Sequence, residues 1–286
     1  MKSCLTFLVL LIALRASAQL TVGSEGMTIL ATTSVTVDGL TLTPSTDLAL
    51  ANNSIQRSST PITGNPSINR LYQFGSPIIF SGTAGIYYLP AELNNYPESK
   101  LQLAYTSAAN TSLTVTSGST VNTTSHYVTK SLTNQNLFFV TASALPDLTP
   151  VFFARPFLLR GTSTFTVVVD VFEINSVPTN RPITVYVTKD PSINLTFNGA
   201  LTQLNNKAVQ NSVWTFNGTS NSSFYVLTTN QVINGATKLS FGLNGVLTPG
   251  ESAGTLSITS IVVGSSAVEA RINNNSDADK IEYFAR

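Results

Sequence analysis

The sequence contains very little cysteine, histidine or charge, and each shortage excludes a class of function. Cys4 is the only cysteine and His126 is the only histidine. A histidine-built zinc site is therefore excluded, because such sites draw on several cysteines and histidines. Charged residues make up 10% of the chain, with 15 basic side chains against 14 acidic ones. This balance excludes the broad basic surface that nucleic acid or anionic lipid requires.

The only long apolar run lies at the N-terminus, where it has the layout of a secretory signal peptide. Lys2 supplies a positive charge, residues 5–14 (LTFLVLLIAL) are apolar, and Ala16-Ser17-Ala18 forms a small-residue cleavage signature before Gln19. The run is shorter than the roughly 20 residues that span a bilayer. A buried N-terminal strand or helix is the alternative. We predict that residues 1–18 are removed and that the protein is secreted or extracellular, with retention at the cell surface left open.

Cleavage after residue 18 changes the chemistry of the chain. It removes Cys4, so the mature protein has no thiol nucleophile, no thiolate ligand and no disulfide. It also removes Lys2 and Arg15, which reduces the 15 basic residues to 13 and gives a formal charge of −1. No second apolar run reaches membrane-spanning length, and we expect no transmembrane segment in the mature chain. Burial of apolar side chains must then supply the stability.

Alternation of apolar and hydroxyl residues dominates the chain and predicts an all-β fold. Asp38-Gly39 lies between the alternating residues 34–37 and 40–43, which is a strong hairpin signal because both turn positions need a positive φ. Asn52-Asn53-Ser54 predicts a polar turn. The only helical candidate, 90–94, is at most one turn long. The other strands predicted in the first half are 48–50, 69–74, 78–80, 84–88, 101–105, 112–116, 126–130 and 136–141.

A domain boundary is predicted at residues 144–150 (ALPDLTP), which contain two prolines and lose the alternation. We predict a β-sandwich domain over 19–148 and an immunoglobulin-like β-sandwich over 149–286, because the second half has about seven short strands. Turns are predicted at the Asn-Gly pairs that begin at Asn198, Asn217, Asn234 and Asn244. The strands predicted there begin at Phe152-Phe153 and continue at 163–174, 183–188, 194–197, 213–216, 224–228, 238–243, 254–263 and 280–284.

Five segments of the second half carry a family resemblance. They are FTVVV at 165–169, PITVYV at 182–187, NSVWTF at 211–216, GTLSI at 254–258 and NNNSD at 273–277. These segments resemble the immunoglobulin-like repeats of the DUF11 and CARDB type in bacterial surface proteins, in the version found in secreted proteins of the Bacteroidota. Residues 34–44, 70–82 and 90–105 are similar to an N-terminal β module of the same proteins. The resemblance implies an extracellular pair of β-sandwiches used in adhesion or surface architecture, and it brings no catalytic residues.

Few side chains are candidates for catalysis, and none lies in a recognisable motif. No G-x-S-x-G motif, which would supply a nucleophilic serine for a catalytic histidine, accompanies His126, and we interpret it as an exposed strand histidine. Asp170 and Glu173 share a predicted strand, but their odd separation places them on opposite faces. Glu92 and Glu98 flank a proline-containing loop and form the alternative acid pair, but we interpret each as a solvated loop charge, because spacing alone is not evidence of a catalytic pair. We predict no catalytic, cofactor-binding or metal-binding residue.

Two further groups of side chains, one acidic and one aromatic, have both a structural and a functional interpretation. Asp277, Asp279 and Glu282 lie beside Asn273 to Asn275 and offer oxygen ligands of the kind that calcium prefers, whereas a hydrophilic turn before the last strand is the alternative. Four tyrosines around a Pro- and Asn-rich loop suggest a sugar-stacking face, whereas alternate aromatics in strands usually pack in the core. We expect Trp214, which alternates with Phe216, to be a core residue. The four tyrosines are Tyr87, Tyr88, Tyr96 and Tyr105.

These observations predict an exported, non-enzymatic structural or adhesive protein that acts through its β-sandwich surfaces. Its expected partners are other surface proteins, copies of itself or extracellular glycans, and the expectation includes no nucleic acid and no cofactor. Self-association is plausible on physical grounds because the edges of β-sheets pair readily. The alternatives are a carbohydrate-binding module and a β-sandwich glycoside hydrolase that uses Glu92 or Glu98.

Overall fold

A computed structural model describes residues 19–63, 67–179, 182–251, 253–264 and 269–285. The predicted signal peptide, 1–18, lies outside these ranges. Within them the secondary structure is β-strand, apart from three short 3₁₀ helices at Pro90–Glu92, Glu98–Lys100 and Asn211–Val213. In the same ranges, no helix has the length and apolar character needed to cross a membrane. The prediction of an all-β fold is confirmed.

Antiparallel pairing joins the first eleven strands into a nine-stranded sheet and a two-stranded ribbon. The main path of the large sheet is β1-β6-β7-β11-β8-β9, while β4 pairs with β7, β3 with β4, and β10 with β11; β2 and β5 form the ribbon. The strands are β1 (Gln19–Val22), β2 (Met27–Ile29), β3 (Val35–Val37), β4 (Leu40–Pro44), β5 (Leu48–Leu50), β6 (Asn53–Ser58), β7 (Leu71–Tyr87), β8 (Gln102–Thr106), β9 (Thr114–Val115), β10 (Thr120–Asn122) and β11 (Tyr127–Ser143).

The strands β7 and β11 are each 17 residues long. The prediction of five short strands in these two regions is therefore wrong. The strand β7 continues through Gly75, Pro77 and Gly82, which are residue types that often end a strand. The pairing with β11 shifts register twice in this region, which shows that these residues accompany bulges. A Cβ on Gly82 would lie 2.3 Å from the carbonyl oxygen of Thr43. Glycine there therefore permits the close approach of β4.

One hydrophobic core lies within this first unit. It takes buried side chains from both ends of the long strands, such as Tyr72 and Ile86, and from the neighbouring strands, such as Leu40 and Leu103. The Asp38-Gly39 hairpin is confirmed, with φ of 46° at Asp38 and 95° at Gly39. The predicted turn at 52–54 is only partly right, since Asn52 has a positive φ but β6 already begins at Asn53.

Two sheets form the second unit in the arrangement of an immunoglobulin sandwich. The orders are β12-β14-β21-β16 and β13-β23-β22-β15-β20-β19. They match the ABED and GFC orders of that fold, with β13 added beside β23 and with β20 and β19 added beside β15. A small ribbon, β17-β18, lies outside them. The strands are β12 (Leu148–Arg155), β13 (Leu158–Arg160), β14 (Ser163–Glu173), β15 (Ile183–Thr188), β16 (Ile193–Thr196), β17 (Gln203–Leu204), β18 (Lys207–Ala208), β19 (Thr215–Asn217), β20 (Phe224–Thr229), β21 (Lys238–Leu247), β22 (Gly254–Gly264) and β23 (Ser276–Phe284).

The second unit has its own hydrophobic core, which shares no residue with the first. Alternate residues of β14, from Phe165 to Val171, face apolar side chains of the opposite sheet. Trp214 is 5% exposed and belongs to this core, as predicted. The domain boundary at 148/149 stays a prediction. The expected loss of strand structure up to Pro150 is wrong, because β12 begins at Leu148.

The Asn244-Gly245 pair does not form the predicted turn, because both residues continue β21. Gly245 lies opposite Phe165 on the neighbouring strand β14. A Cβ on Gly245 would come within 2.4 Å of the Phe165 ring. Glycine at this position leaves room for the Phe165 ring of the neighbouring strand. The Asn-Gly sequence alone does not indicate this packing role.

We predict that Gly39→Ala lowers the free energy of unfolding by about 1–3 kcal/mol, because alanine at a positive φ is strained. Its Cβ would also lie 2.7 Å from Arg70 Nη1 and 3.0 Å from the Tyr72 hydroxyl. Gly23→Ala is the matched control, since a Cβ there meets nothing within 4 Å. Urea unfolding curves measure both effects. Equal losses in the two variants would show that the Gly39 backbone is not the constraint we describe.

Candidate functional site

Carboxylates satisfy the free edge of β12, which is the outermost strand of the four-stranded sheet. The backbone N–H groups of Phe152 and Ala154 donate to Asp277 Oδ2 at 2.7 Å and Asp279 Oδ2 at 3.1 Å. The N–H of Leu148 donates to Glu269 Oε2 at 3.1 Å. The fourth residue in this alternating series is Pro150, which has no N–H. Every outward donor at positions 148, 150, 152 and 154 is therefore satisfied or absent.

This arrangement explains two of the acidic residues that the sequence offered as calcium ligands. Asp277 and Asp279 belong to the last strand, β23, so the predicted hydrophilic turn covers only residues 273–275. Glu282 lies further along β23, where it pairs with Leu158 of β13. In the described ranges, no three His, Cys, Asp or Glu side chains are grouped to hold a metal ion. Asp277 and Asp279 instead join the edge of one sheet to the other sheet.

A tyrosine closes the opposite edge of the same sheet. The N–H of Leu195 in β16 donates to the Tyr225 hydroxyl at 3.1 Å, and that hydroxyl donates to the carbonyl oxygen of Ile193 at 3.3 Å. Tyr225 belongs to β20 in the six-stranded sheet. Both edges of the four-stranded sheet are thus bonded to side chains from its partner sheet, which makes these edges poor sites for adding a further strand.

The two acids of β14 are buried and have different partners. Asp170, 2% exposed, accepts from Lys238 Nζ at 2.7 Å and from the Ser240 hydroxyl at 2.6 Å. Glu173, 1% exposed, accepts four backbone N–H groups, from residues 147, 175, 177 and 236. The side chain of Asp170 lies on a lysine-flanked face, whereas Glu173 anchors loops at the end of the strand. Neither carboxylate is placed opposite the other as a catalytic pair requires.

Glu92 and Glu98 also have separate partners. Glu92 Oε2 accepts hydrogen bonds from Arg70 Nε at 2.6 Å and from the backbone N–H of Leu89 at 2.8 Å. Glu98 Oε1 contacts His126 Nδ1 at 2.6 Å and accepts from the Tyr88 hydroxyl at 2.9 Å. Burial and the adjacent Glu98 carboxylate raise the pKa of Tyr88 well above its ordinary value. These contacts tie loops to the first core.

His126 does not match the interpretation as an exposed strand residue. It lies in the turn before β11 with φ of 51°, and its side chain is 35% exposed. The alternating residues around it suggested a strand, but the strand begins one residue later, at Tyr127. Its ring is held by Glu98, so the histidine has a structural partner that its local sequence does not indicate.

The four tyrosines do not form a sugar-stacking face. Tyr88 is 3% exposed, while Tyr96 and Tyr105 are partly buried and pack against the first core. Tyr87 alone is well exposed, at 44%, and its ring stacks on Tyr127 with 4.3 Å between centroids. The core-packing explanation therefore holds for three of the four side chains.

A groove lies beside the C-terminal end of β12 in the second unit, and we call it the end groove. Two adjoining cavities of about 820 and 590 Å³ form it, and they share Pro156, Thr164 and Val246. Phe157, Leu158 and Val246 line it and are 55%, 44% and 38% exposed. The end groove is therefore an apolar surface left open to solvent.

Two arginines bring positive charge to the end groove, and the charge of Arg155 is offset by Asp279. Arg155 and Arg160 line it, and neither cavity has an acidic residue among its lining. The Arg155 guanidinium lies 5.9 Å from the Phe157 ring centroid and donates to Asp279 Oδ2 at 2.7 Å. Arg160 lies over the exposed Phe284 ring at 5.5 Å. Apolar rings flanked by arginines suit an extended polypeptide with an acidic group.

Sequence reasoning did not identify the end groove. Its residues come from the β12–β13 connection, from the start of β14 and from the end of β21. A local signal exists in the segment RPFLLR at 155–160, where two arginines bracket apolar residues without alternation. This pattern alone does not show whether the segment is buried. The structure shows that its phenylalanine, Phe157, is 55% exposed.

No family model matches the chain, and no curated protein sequence matches it. The solved structures similar to it include a CARDB domain from Pyrococcus furiosus, which is 17% identical in sequence and has a TM-score of 0.30. That match covers 50% of this chain and 96% of the CARDB domain. The full-length major pilin SpaD of Corynebacterium diphtheriae has 10% identity, 79% and 61% coverage, and a TM-score of 0.35. The N-terminal domain of a Streptococcus gordonii adhesin has 8% identity, 95% and 90% coverage, and a TM-score of 0.33.

At these TM-scores the likenesses carry no argument about function. The DUF11 assignment, the Bacteroidota origin and the signal peptide stay predictions. The immunoglobulin-like arrangement of the second unit rests on its own strand order.

We predict that Asp279→Asn destabilises the protein by about 1–2 kcal/mol at pH 7, because the variant loses charge-assisted hydrogen bonds. Burial opposes ionisation of Asp279, but the N–H groups of Ala154 and Lys280 and the Arg155 guanidinium together lower its pKa below the usual value. A lowered folded-state pKa stabilises the protein above the unfolded value of about 3.9. This contribution is lost as the pH falls through the lower folded-state pKa.

Urea unfolding at pH 7 and at a pH below the folded-state pKa of Asp279 measures this contribution. The difference between wild type and Asp279→Asn should shrink at the lower pH. Glu25→Gln, at an exposed turn residue, is the control and should change little at either pH. A difference that does not depend on pH would contradict an ionised Asp279 at the β12 edge.

Proposed function

We propose that this protein is a non-enzymatic structural or adhesive protein of the cell exterior that binds other proteins through its β-sandwich surfaces. The observation that carries the proposal is that the candidate catalytic acids and the histidine hold parts of the fold together. Asp277 and Asp279 close the edge of β12, while Glu98 holds His126. The groups that would perform acid–base chemistry are thus committed to holding the fold. The predicted signal peptide supports an exterior location.

The end groove supports a protein partner over a glycan. Its exposed Phe157 and Val246 give an apolar surface, and Arg160 adds a positive charge, whereas the charge of Arg155 is offset by Asp279. Carbohydrate recognition by stacking needs exposed, flat aromatic faces, and three of the four candidate tyrosines are largely buried or packed against the core. We therefore propose that the groove binds an extended polypeptide.

A second copy of this chain is the partner that the charge distribution supports best. Residues 19–56 contain Glu25, Asp38 and Asp47 and no lysine or arginine, although Asp38 pairs with Arg57. Glu25 and Asp47 are exposed in the first unit, and Asp47 Oδ1 accepts the N–H of Ala31, which follows Leu30, a residue that is 60% exposed. This acidic and partly apolar surface complements the positive, apolar end groove.

The test of this proposal is self-association of the exported protein. Sedimentation velocity at about 100 μM detects contacts of micromolar to submillimolar affinity, which is the range of weak and transient association. We predict that wild type associates and that Phe157→Ser reduces the association. Val232→Ser is the matched control, because Val232 is 44% exposed and does not line the groove. A wild type that stays monomeric would remove the self-association proposal.

An activity screen tests the non-enzymatic part separately. The exported protein is incubated with chromogenic glycosides and with a protein substrate, alongside Glu92→Gln and Glu98→Gln. No turnover is expected from any of them. Turnover by wild type that either glutamine variant abolishes would establish the glycoside hydrolase or a related enzyme in place of the proposed function.

A further inference from the structure

The six-stranded sheet of the second unit has an open edge at β13. Within the described ranges β13 pairs with β23 alone, and the two strands run parallel. The carbonyl oxygen of Phe157 and the N–H of Gly161 both bond to β23, at 2.7 and 2.9 Å. Because backbone groups alternate between the two sides of a strand, Leu158 and Arg160 direct theirs away from β23. On that side the Arg160 carbonyl oxygen accepts the Ser163 hydroxyl, and no described strand pairs with the other three groups.

The smaller cavity of the end groove, of about 590 Å³, lies along this edge. Leu158, Leu159 and Arg160 of β13 line it together with Thr164 and Val246 of the four-stranded sheet. Leu158 is 44% exposed, whereas Leu159 is 4% exposed and belongs to the core. A strand added at β13 would therefore gain main-chain hydrogen bonds along the edge and apolar contact with Leu158, which is the basis of recognition by β-strand addition.

The nine-stranded sheet of the first unit has an open edge of its own at β1. Among the described strands β1 pairs with β6 alone. Val22 is buried in the first core, whereas Gln19 and Thr21 are exposed. The strand β1 has four residues, while the other edge strands described for this sheet are shorter, with three residues in β3 and in β10 and two in β9. It therefore offers more backbone groups to a second chain than these strands do.

An acidic turn follows β1 directly. The N–H of Gly26 donates to the carbonyl oxygen of Gly23 at 3.2 Å, and Glu25 lies exposed within this turn. Neither Glu25 nor Arg160 forms an ion pair with another described residue. Each of the two open edges thus carries one unpaired charge, and the two charges are opposite. This complementarity favours β1 as the partner of β13.

The other open edges fit β13 less well. The turn after β3 contains Asp38, but its carboxylate is already paired with Arg57. Residues 107–126, which include β9 and β10, contain no acidic residue, and residues 211–223, which include β19, contain none either. Pairing of β13 with a second β13 would bring the Arg160 side chains of two copies near one another, and like charges across a strand pair are destabilising.

We propose that β1 of one copy of this protein adds to the β13 edge of the next copy, so that sheets of two molecules join into one. The proposal rests on the proposed function, because it specifies which strands meet when the chain associates with itself. The added strand satisfies the backbone groups of Leu158 and the N–H of Arg160, and it brings Glu25 close to Arg160. Since the two edges differ, the contact is heterologous and generates a series of copies rather than a two-fold dimer.

Disulfide trapping between single-cysteine variants tests this pairing. Cys4→Ser removes the one natural thiol, so each variant carries a single engineered cysteine. Thr21→Cys places it on the exposed face of β1, Gln19→Cys covers a register shifted by two residues, and Leu158→Cys places it on β13. At about 100 μM, Leu158→Cys should form about tenfold more mixed dimer with one of the β1 variants than with Thr215→Cys, because paired thiols reach millimolar effective concentrations. Thr215 is an exposed residue of the edge strand β19 and serves as the control.

The possible outcomes separate this inference from the proposed function. Equal yields with the β1 variants and with Thr215→Cys would overturn the pairing. A Leu158→Cys homodimer that exceeds the mixed dimers would also overturn it, by showing that β13 pairs with itself. Wild type that associates in sedimentation velocity while neither β1 variant crosslinks would refute this inference and leave the proposed self-association standing. Wild type that stays monomeric would remove both.

Charge reversal provides a second readout that needs no crosslink. Glu25→Lys and Arg160→Glu should each raise the dissociation constant of self-association about two- to fivefold, the range expected for an exposed ion pair. The double variant should return to the wild-type value, because opposite charges again face each other. Glu25→Lys combined with Lys100→Glu is the matched control, since Lys100 is exposed in the first unit and lines neither cavity of the end groove. A double variant that associates no more tightly than this control would contradict the contact between Glu25 and Arg160.

Discussion

The structure of the second unit depends on how the edges of its four-stranded sheet satisfy their backbone donors. An edge strand leaves every second N–H without a partner in its own sheet, and an unpaired buried donor is costly. Here the opposite sheet supplies the partners, through Asp277 and Asp279 at β12 and through Tyr225 at β16. The sheets are therefore joined by side-chain-to-backbone bonds at both edges as well as by the apolar core between them.

This use of acidic residues shapes the rest of the molecule. Several of the few carboxylates in the chain close sheet edges or anchor loops. Glu173 accepts four backbone N–H groups, and Glu92 is held by arginine. The end groove is open to solvent, and Phe157 and two arginines line it.

Local patterns predicted the parts of the fold that depend on neighbouring residues. The Asp38-Gly39 hairpin formed as expected, because a two-residue turn with positive φ is decided by the residues in it. Residues 183–188 match β15 because alternation directly reflects which face of a strand is buried. Glycine and proline were less reliable. Gly75, Pro77 and Gly245 all lie within strands, where they serve bulges and close packing across the sheet.

The sequence by itself determined the all-β class, the shortage of catalytic side chains and most strand positions in the second half, because composition and two-residue periodicity act locally. Tertiary structure decided where the polar side chains ended up. Asp277 and Asp279 bond to residues 125 positions away in the chain, and Asn274 reaches Asp147 across 127. Periodicity states which face of a strand a side chain occupies, but it does not state which strand lies beside it. Only the folded arrangement brings an acid next to a free N–H.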